Sequence, residues 1–287
     1  MEVNSDWCEL EMLTKILLSI AALLAIAFLI LVVVRIKNDN EVSKIWQKIA
    51  DFPTENVFTE DMVAGLPAPV QRYFLHAIAP GTPLASSVTL EMSGSFRLGQ
   101  DKPWVPMQAK QRISVLKGFV WKAAIGRGLS QVVGADYYSN GSGRMRFSLW
   151  GLVPVVNAHT QDIARSGVGR LAGEFVWLPS ALLPQQGVIW KAIDEKTIQA
   201  NLVIDDESVT LTLVVDAEGK ILKLSLLRWG DKTDNGSWDY IPFGVEVQAE
   251  KKFGGFTIPS QMNASWWFGT QRYLEFFRAT VEKAEYK

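Results

Sequence analysis

Between residues 88 and 281 apolar side chains recur at every second position in a series of short runs, and one long stretch, Thr160 to Pro184, breaks that series. Strict alternation puts one face of a strand in a core and the other in water, the pattern of half-buried antiparallel sheet. Val88, Leu90, Met92, Phe96 and Leu98 alternate with Thr89, Glu91, Ser93, Ser95 and Arg97. Val105, Met107, Ala109, Ile113 and Val115 follow, then Phe119, Trp121, Ala123 and Ile125, then runs at 132–138 and 145–150. Beyond the break the pattern resumes at 189–193, 197–204, 209–215, 221–229, 245–249, 258–268 and 273–281. Lys117-Gly118, Asn140-Gly141, Asp205-Asp206 and Ala217-Glu218-Gly219 supply turn chemistry between runs. Roughly ten to twelve strands are predicted.

The interrupting stretch reads as a helix. Ile163, Gly167, Leu171 and Phe175 recur at four-residue steps on one face, with Asp162, Ser166, Arg170, Gly173 and Trp177 on the other. Gly167, Gly169 and Gly173 each cost about 1 kcal/mol relative to Ala inside a helix. That cost fits a helix buried against a curved sheet, with another backbone passing close. The predicted fold is therefore mainly β (α+β): a strongly curved antiparallel sheet or unclosed barrel wrapped around a central helix, preceded by a transmembrane helix.

The run from Ile16 to Val34 holds 19 residues with Ser19 as its one polar member. At 1.5 Å per residue it spans about 28 Å, close to the hydrocarbon thickness of a bilayer. It exceeds the apolar core of a cleaved signal peptide and ends in Val-Val-Val-Arg with no small-residue cleavage site. The reading is an uncleaved single-pass anchor in the bilayer, with Met1 or Met12 as the start. Residues 1–15 form an N-terminal tail, 16–34 the transmembrane helix, 35–58 a juxtamembrane helix and linker, and 59–287 one β-rich domain with a helical insertion at 160–184.

Within the linker, Val42, Ile45, Trp46 and Ile49 suit a short amphipathic helix that lies on the membrane or packs on the domain, ended by Phe52-Pro53. Thr59 is a fair N-cap for a helix that Pro67 interrupts, and a second helix begins near Pro69 and stops at Pro80-Gly81.

Several motifs then group together: Leu66-Pro-Ala-Pro-Val-Gln-Arg-Tyr73, Gly118-Phe-Val-Trp-Lys-Ala123, Asp136-Tyr-Tyr-Ser-Asn-Gly-Ser-Gly143, Leu149-Trp-Gly-Leu-Val-Pro-Val155, and Gly173-Glu-Phe-Val-Trp-Leu-Pro-Ser-Ala-Leu-Leu-Pro184. They resemble a bacterial membrane-anchored family of unknown function, over about residues 35–286. That family commonly carries tyrosine and alanine where this chain has Leu171 and Gly173. The resemblance implies the bacterial cytoplasmic (inner) membrane and no particular chemistry. In architecture the plan is similar to the unclosed β-barrels of lipoprotein-carrier and lipoprotein-sorting domains, where a bent sheet shelters acyl chains.

The residues point away from an enzyme. His76 and His159 have no second ligand at metal spacing, so no metal site and no cofactor is predicted. His159-Thr-Gln-Asp162 lacks a nucleophile elbow, and the single cysteine, Cys8, precedes the apolar run and excludes an internal disulfide. Gly126-Arg-Gly128, Gly141-Ser-Gly143 and Gly167-Val-Gly169 lack the context of phosphate loops. A net charge of −1 gives no reason to expect nucleic acid.

Arg170 and Glu174 stand one helical turn apart, as a pair Asp162 and Arg165 would form nearby. Inside a curved sheet, Arg170, Glu174 and Trp177 become partly buried polar groups that need partners. Strands can supply them as structural cross-links; a ligand headgroup can also do so. Asp136, Tyr137 and Tyr138 carry the same two readings. Eleven tryptophans suit a large β core, and such rings also line apolar cavities. The candidate ligand-binding residues are Arg170, Glu174, Trp177, Trp121 and Tyr137.

The first functional expectation is a membrane-anchored binding protein that shelters a lipid or other hydrophobic ligand. The alternative is an envelope structural or assembly factor holding a protein partner. For orientation, Lys15 precedes the run while Arg35, Lys37, Lys44 and Lys48 follow it. The positive-inside rule then places the domain in the cytoplasm, against the carrier-like plan, which places it outside. A topology reporter fused after Lys287 should be active on the cytoplasmic side if charge decides; periplasmic activity would overturn that orientation.

Overall fold

A computed structural model describes residues 3–49, 56–115 and 117–287. Its first element, α1 (Val3–Lys48), is one uninterrupted helix of 46 residues. No Pro or Gly lies between Ile16 and Lys48 to break it. Leu17, Leu23, Leu24 and Leu29 are exposed, and the helix is long and apolar enough to cross a membrane. The amphipathic stretch after residue 38 continues this same helix. Val42, Ile45 and Trp46 pack on Ile49, Val120 and Tyr137, so the stretch lies on the domain. Its predicted end at Phe52-Pro53 lies outside the described residues.

Thr59 leads only into a single 3₁₀ turn, Glu60–Met62, and makes no side-chain cap bond. α2 (Ala68–Ala77) follows Pro67, with proline in its first turn, where the missing N–H costs nothing. It buries Val70, Tyr73 and Phe74 in the main core.

Among the described residues thirteen strands form one antiparallel sheet. The first six are β1 (Ser87–Phe96), β2 (Val105–Ser114), β3 (Gly118–Ile125), β4 (Val132–Ser139), β5 (Ser142–Leu149) and β6 (Val153–Ala158). After the helical break come β7 (Ile189–Ala192), β8 (Thr197–Ile204), β9 (Glu207–Val215), β10 (Ile221–Gly230), β11 (Asp239–Phe253), β12 (Phe256–Trp266) and β13 (Leu274–Tyr286). Within each of the two runs every strand pairs with its neighbours in sequence, and β1 pairs with β13 to join the runs. The order β6-β5-β4-β3-β2-β1-β13-β12-β11-β10-β9-β8-β7 leaves β6 and β7 as open edges. β6 has no counterpart among the runs read from sequence. It is short, mostly exposed and contains Pro154, which an edge strand tolerates because one side of its ladder is unused.

The break itself is α3 (Gln161–Glu174) followed by three 3₁₀ turns, Phe175–Trp177, Pro179–Leu182 and Pro184–Gln186. Thr160 caps α3, accepting from the Ile163 amide at 3.3 Å. Pro179 and Pro184 divide what the spacing predicts as one helix, since neither can donate within an α-helical ladder. α3 touches β4 and β5 on one arm of the sheet and β8, β9 and β10 on the other. Laid flat, the seven spacings from β4 to β10 would span about 34 Å, some three helix widths. The sheet therefore curls around the helix.

Hairpin tips meet across the open side. Asn140 and Gly141 both have positive φ, as do Asp205 and Asp206, the geometry of two-residue hairpin turns. The Asp205 carboxylate accepts from the Tyr138 hydroxyl and, at 2.9 Å, from the Gly141 amide. One tip thus docks on the other.

The close backbone approach expected at the helix glycines occurs instead at Gly143 of β5, where a Cβ would lie 2.6 Å from Ala164 Cα. Gly167 faces the Tyr138 ring at 2.9 Å and Gly169 the Arg228 side chain at 3.0 Å, whereas Gly173 has nothing nearer than 3.7 Å. Gly167→Ala should destabilise by about 1–3 kcal/mol through overpacking. Gly173→Ala should stabilise by up to about 1 kcal/mol, since it gains helix propensity without a clash. Thermal or denaturant melts of the domain check both signs; equal effects would contradict this packing.

Candidate functional site

On the inner face the alternation of β2, β3 and β4 brings three side chains into one row. Gln111 pairs in register with Trp121, and Trp121 with Asp136. Arg170 reaches this row from α3. Its Nε donates to Glu174 at 2.7 Å and its guanidinium donates to Asp136 at 2.6 Å. Gln111 donates to the other Glu174 oxygen at 2.5 Å. The guanidinium lies over Phe119 at 4.4 Å and Trp121 at 5.3 Å.

Burial pushes the Asp136 and Glu174 carboxyls upward, and Arg170 pulls both partly back. Burial alone would lower the Arg170 guanidinium, but Glu174 and Asp136 outweigh it and raise it. The side chains of Arg170, Asp136 and Glu174 keep 17%, 14% and 13% exposure, so the network is enclosed without being sealed.

A second arginine enters from β10. Arg228 donates to the Ser166 carbonyl at 3.1 Å and to its hydroxyl at 3.3 Å, both neutral acceptors. It stacks on Phe243 and Trp266, each at 5.0 Å. Burial first, and then Arg170, lower it to about 10. The Trp121 indole N–H is buried and has no acceptor within the structure, a state that asks for an explanation in a native interior.

Aromatic rings continue from these groups toward one end of the sheet. Trp121 meets Phe147 and Phe277, Phe277 meets Phe276, and Phe276 meets Phe96, Phe243 and Trp266, all with centroids within 6.3 Å. Two adjacent phenylalanines share this interior because β13 bulges. Ala264 pairs with Phe277 and Ser265 with Glu275, leaving Phe276 as the extra residue. Phe96, Leu274, Phe276 and Phe277 are only partly buried, so the aromatic wall opens outward at this end.

Of the residues singled out from sequence, Arg170, Glu174 and Trp121 come together here. Trp177 lies apart: its indole donates to the Pro259 carbonyl at 3.0 Å, and its own carbonyl accepts from Tyr286 at 3.0 Å. Tyr137 faces the opposite side of the sheet, donating to Glu41 of α1 at 2.6 Å. Asp162 and Arg165 do not pair. Asp162 accepts from the Trp229 indole at 2.9 Å, and Arg165 meets Glu207 at 2.9 Å. His76 pairs with Glu250 at 2.8 Å. Arg228, Gln111 and Phe276 were not anticipated. Arg228 follows Leu224 and Leu226 at the apolar phase of its strand, and Gln111 sits between Ala109 and Ile113 in the same way. A polar residue on the inward phase was the available signal. Phe276 had none, because a bulge is invisible to alternation.

Fold and site together define a class: one unclosed antiparallel sheet wound around an internal helix, with an apolar helix at its front. This chain belongs to the family of unknown function DUF6920, whose model matches residues 64–286. No curated protein matches it significantly. Similar solved structures include a domain described as an outer membrane lipoprotein-sorting protein from Vibrio parahaemolyticus, 11% identical, with a TM-score of 0.37 over 70% of this chain and 86% of that one. A LolA-superfamily protein from Nitrosomonas europaea is 8% identical, with a TM-score of 0.36 over 77% of this chain and 92% of that one. A DUF1329-family protein from Desulfovibrio piger is 11% identical, with a TM-score of 0.32 over 71% and 86%.

Breaking a buried ion pair strands a charge, which typically costs about 3–5 kcal/mol. Arg170→Met, which leaves Asp136 and Glu174 unpaired, should cost about that much. Glu174→Gln, which keeps Arg170 on Asp136 and an acceptor for Gln111, should cost less than about half of it. Denaturant melts of both variants check the order; a neutral Arg170→Met would remove the cross-link from the account of stability.

Proposed function

We propose that this protein is a membrane-tethered binding protein that shelters a hydrophobic ligand bearing a polar head inside its curled sheet. One observation carries the reading: an aromatic wall, open at one end, leads inward to two arginines and an unanswered indole N–H. Apolar sites with a few convergent polar groups are the usual form of small-molecule pockets. Trp121 would donate to the head, and Arg228, held on neutral acceptors, would meet its charge or dipole. Phe96, Phe276 and Phe277 would line the apolar tail.

The position of α1 supports a membrane source for the ligand. Arg35 rests at the 150–152 turn, within 3.5 Å of where a Gly151 side chain would begin. Farther along, Glu41 meets Tyr137 and Arg144, and Trp46 meets Arg112 and Lys122. The helix thus leaves the domain past that turn, which bonds to the β3–β4 loop through Trp150 and Gln131 at 2.9 Å. Leu129 in that loop and Leu98 in the β1–β2 loop are each 86% exposed, and Trp150 is 46% exposed. This is the end at which the aromatic wall opens. We place the tether in the bacterial inner membrane, with the domain on the cytoplasmic side that its flanking charges favour.

Native mass spectrometry of full-length protein released in mild detergent tests the reading. The wild type should carry a copurifying apolar molecule, and Phe276→Asp should lower its occupancy about tenfold. Wild-type protein free of any such molecule, with folding intact, would defeat it.

A further inference from the structure

The outer face of the same strands carries a separate feature. The last turns of α1 and the convex side of β3, β4 and β5 enclose a cleft of about 330 Å³. Four cations line it, Arg35, Lys122, Arg144 and Arg146, against two carboxylates, Asp39 and Glu41.

Both carboxylates are engaged. Glu41 meets Arg144 at 2.9 Å and accepts from Tyr137. Burial would raise the Glu41 carboxyl, but these two partners bring it below its ordinary value. Asp39 stands 3.6 Å from Arg35. The remaining cations rest on neutral groups: Lys122 on the Trp46 ring at 4.7 Å, Arg146 on Asn38 and, at 3.2 Å, on Asn157. Burial lowers the pKa of both and neighbouring cations lower it further, while Asp39 draws Lys122 and Glu41 draws Arg146 partly back up. Arg144 Nε is buried and has no hydrogen-bond partner in the structure. The cleft therefore has two cations more than its carboxylates balance, and an unused guanidinium donor.

Its location completes the argument. The apolar run ends at Val34, and Arg35 and Asn38 follow about 1.5 and 6 Å further along the helix axis. A bilayer's headgroup layer is roughly 5–8 Å deep on each side. If α1 spans the membrane, the mouth of the cleft stands at the depth of lipid phosphates. Arginine forks match phosphate oxygens in geometry as well as charge.

We propose that this cleft binds a phosphate-bearing anion, the headgroup of an anionic membrane lipid. The site is distinct from the curled interior and does not depend on what that interior holds.

The test titrates detergent-solubilised full-length protein with phosphatidylglycerol, with phosphatidylcholine of identical acyl chains, and with inorganic phosphate. Binding is read by native mass spectrometry for lipids and calorimetry for phosphate. Phosphatidylglycerol should bind about tenfold more tightly than phosphatidylcholine. The double variant Lys122→Gln/Arg146→Gln should erase that preference, while Asp39→Asn, which removes a repelling carboxylate, should tighten phosphatidylglycerol alone. A tightened variant cannot arise from misfolding. Phe276→Asp should shift both lipids alike, which separates this cleft from the interior. Phosphate binding that is lost in the double variant, without any lipid preference, would assign the cleft to a soluble anion and overturn the lipid source. Equal binding of the two lipids, with no phosphate binding, would overturn the site.

Discussion

Much of this structure turns on α3 being held between two arms of one sheet, which bends around the helix with the help of bulges in several of its ladders. Polar contacts pin the helix on both sides. Toward one arm, Arg170 meets Asp136 of β4, and Glu174 accepts from Gln111 of β2. Toward the other, Ser166 accepts from Arg228, Asp162 from Trp229, and Arg165 meets Glu207. Buried ion pairs contribute little net stability compared with an apolar core, since desolvation offsets their attraction. Their value here is positional: each bond is directional and cannot be made if the helix rotates or slides. The apolar packing of Leu171, Phe175 and Val176 then supplies the bulk of the free energy.

Closure is achieved without a complete ladder. The β1–β13 pairing unites the two runs of strands, but β6 and β7 never meet. An open edge is a hazard for pairing with other chains, and short edge strands and proline blunt it. Both devices are present, since β7 has four residues and β6 carries Pro154. The gap is bridged instead by hairpin tips, with Asp205 gripping the Tyr138 hydroxyl and the Gly141 amide. An opening spanned by side chains can widen at lower cost than one spanned by a backbone ladder, which would suit the proposed role of sheltering a ligand.

The same strands serve two environments through their pleat. In β4, Asp136 and Tyr138 face inward while Tyr137 faces α1. Interior and cleft are thus separated by one thickness of backbone, and both lie near the end where α1 departs. The proposed tether beside the opening, and the basic cleft next to it, would then belong to one geometric arrangement.

Much of the fold was legible in sequence because alternation, turn chemistry and apolar run length are local properties. They predict the antiparallel strands, the Asn-Gly and Asp-Asp hairpins, the long apolar helix and one helical break. Among the candidate site residues, Arg170 and Glu174 could be paired from a four-residue step, and Trp121 assigned an inward face from its phase. What sequence could not reveal was which distant residues meet. Asp136 belongs with Arg170 and Tyr137 with Glu41 only because the sheet curls and the last turns of α1 lie along its outer face. Arg228 joins from a strand 58 positions further on than Arg170, and Phe276 turns inward through a bulge that breaks the very pattern used to read the strands. Periodicity encodes the face a side chain takes; only the long-range pairing of β1 with β13, and the helix it encloses, decided what that face would meet.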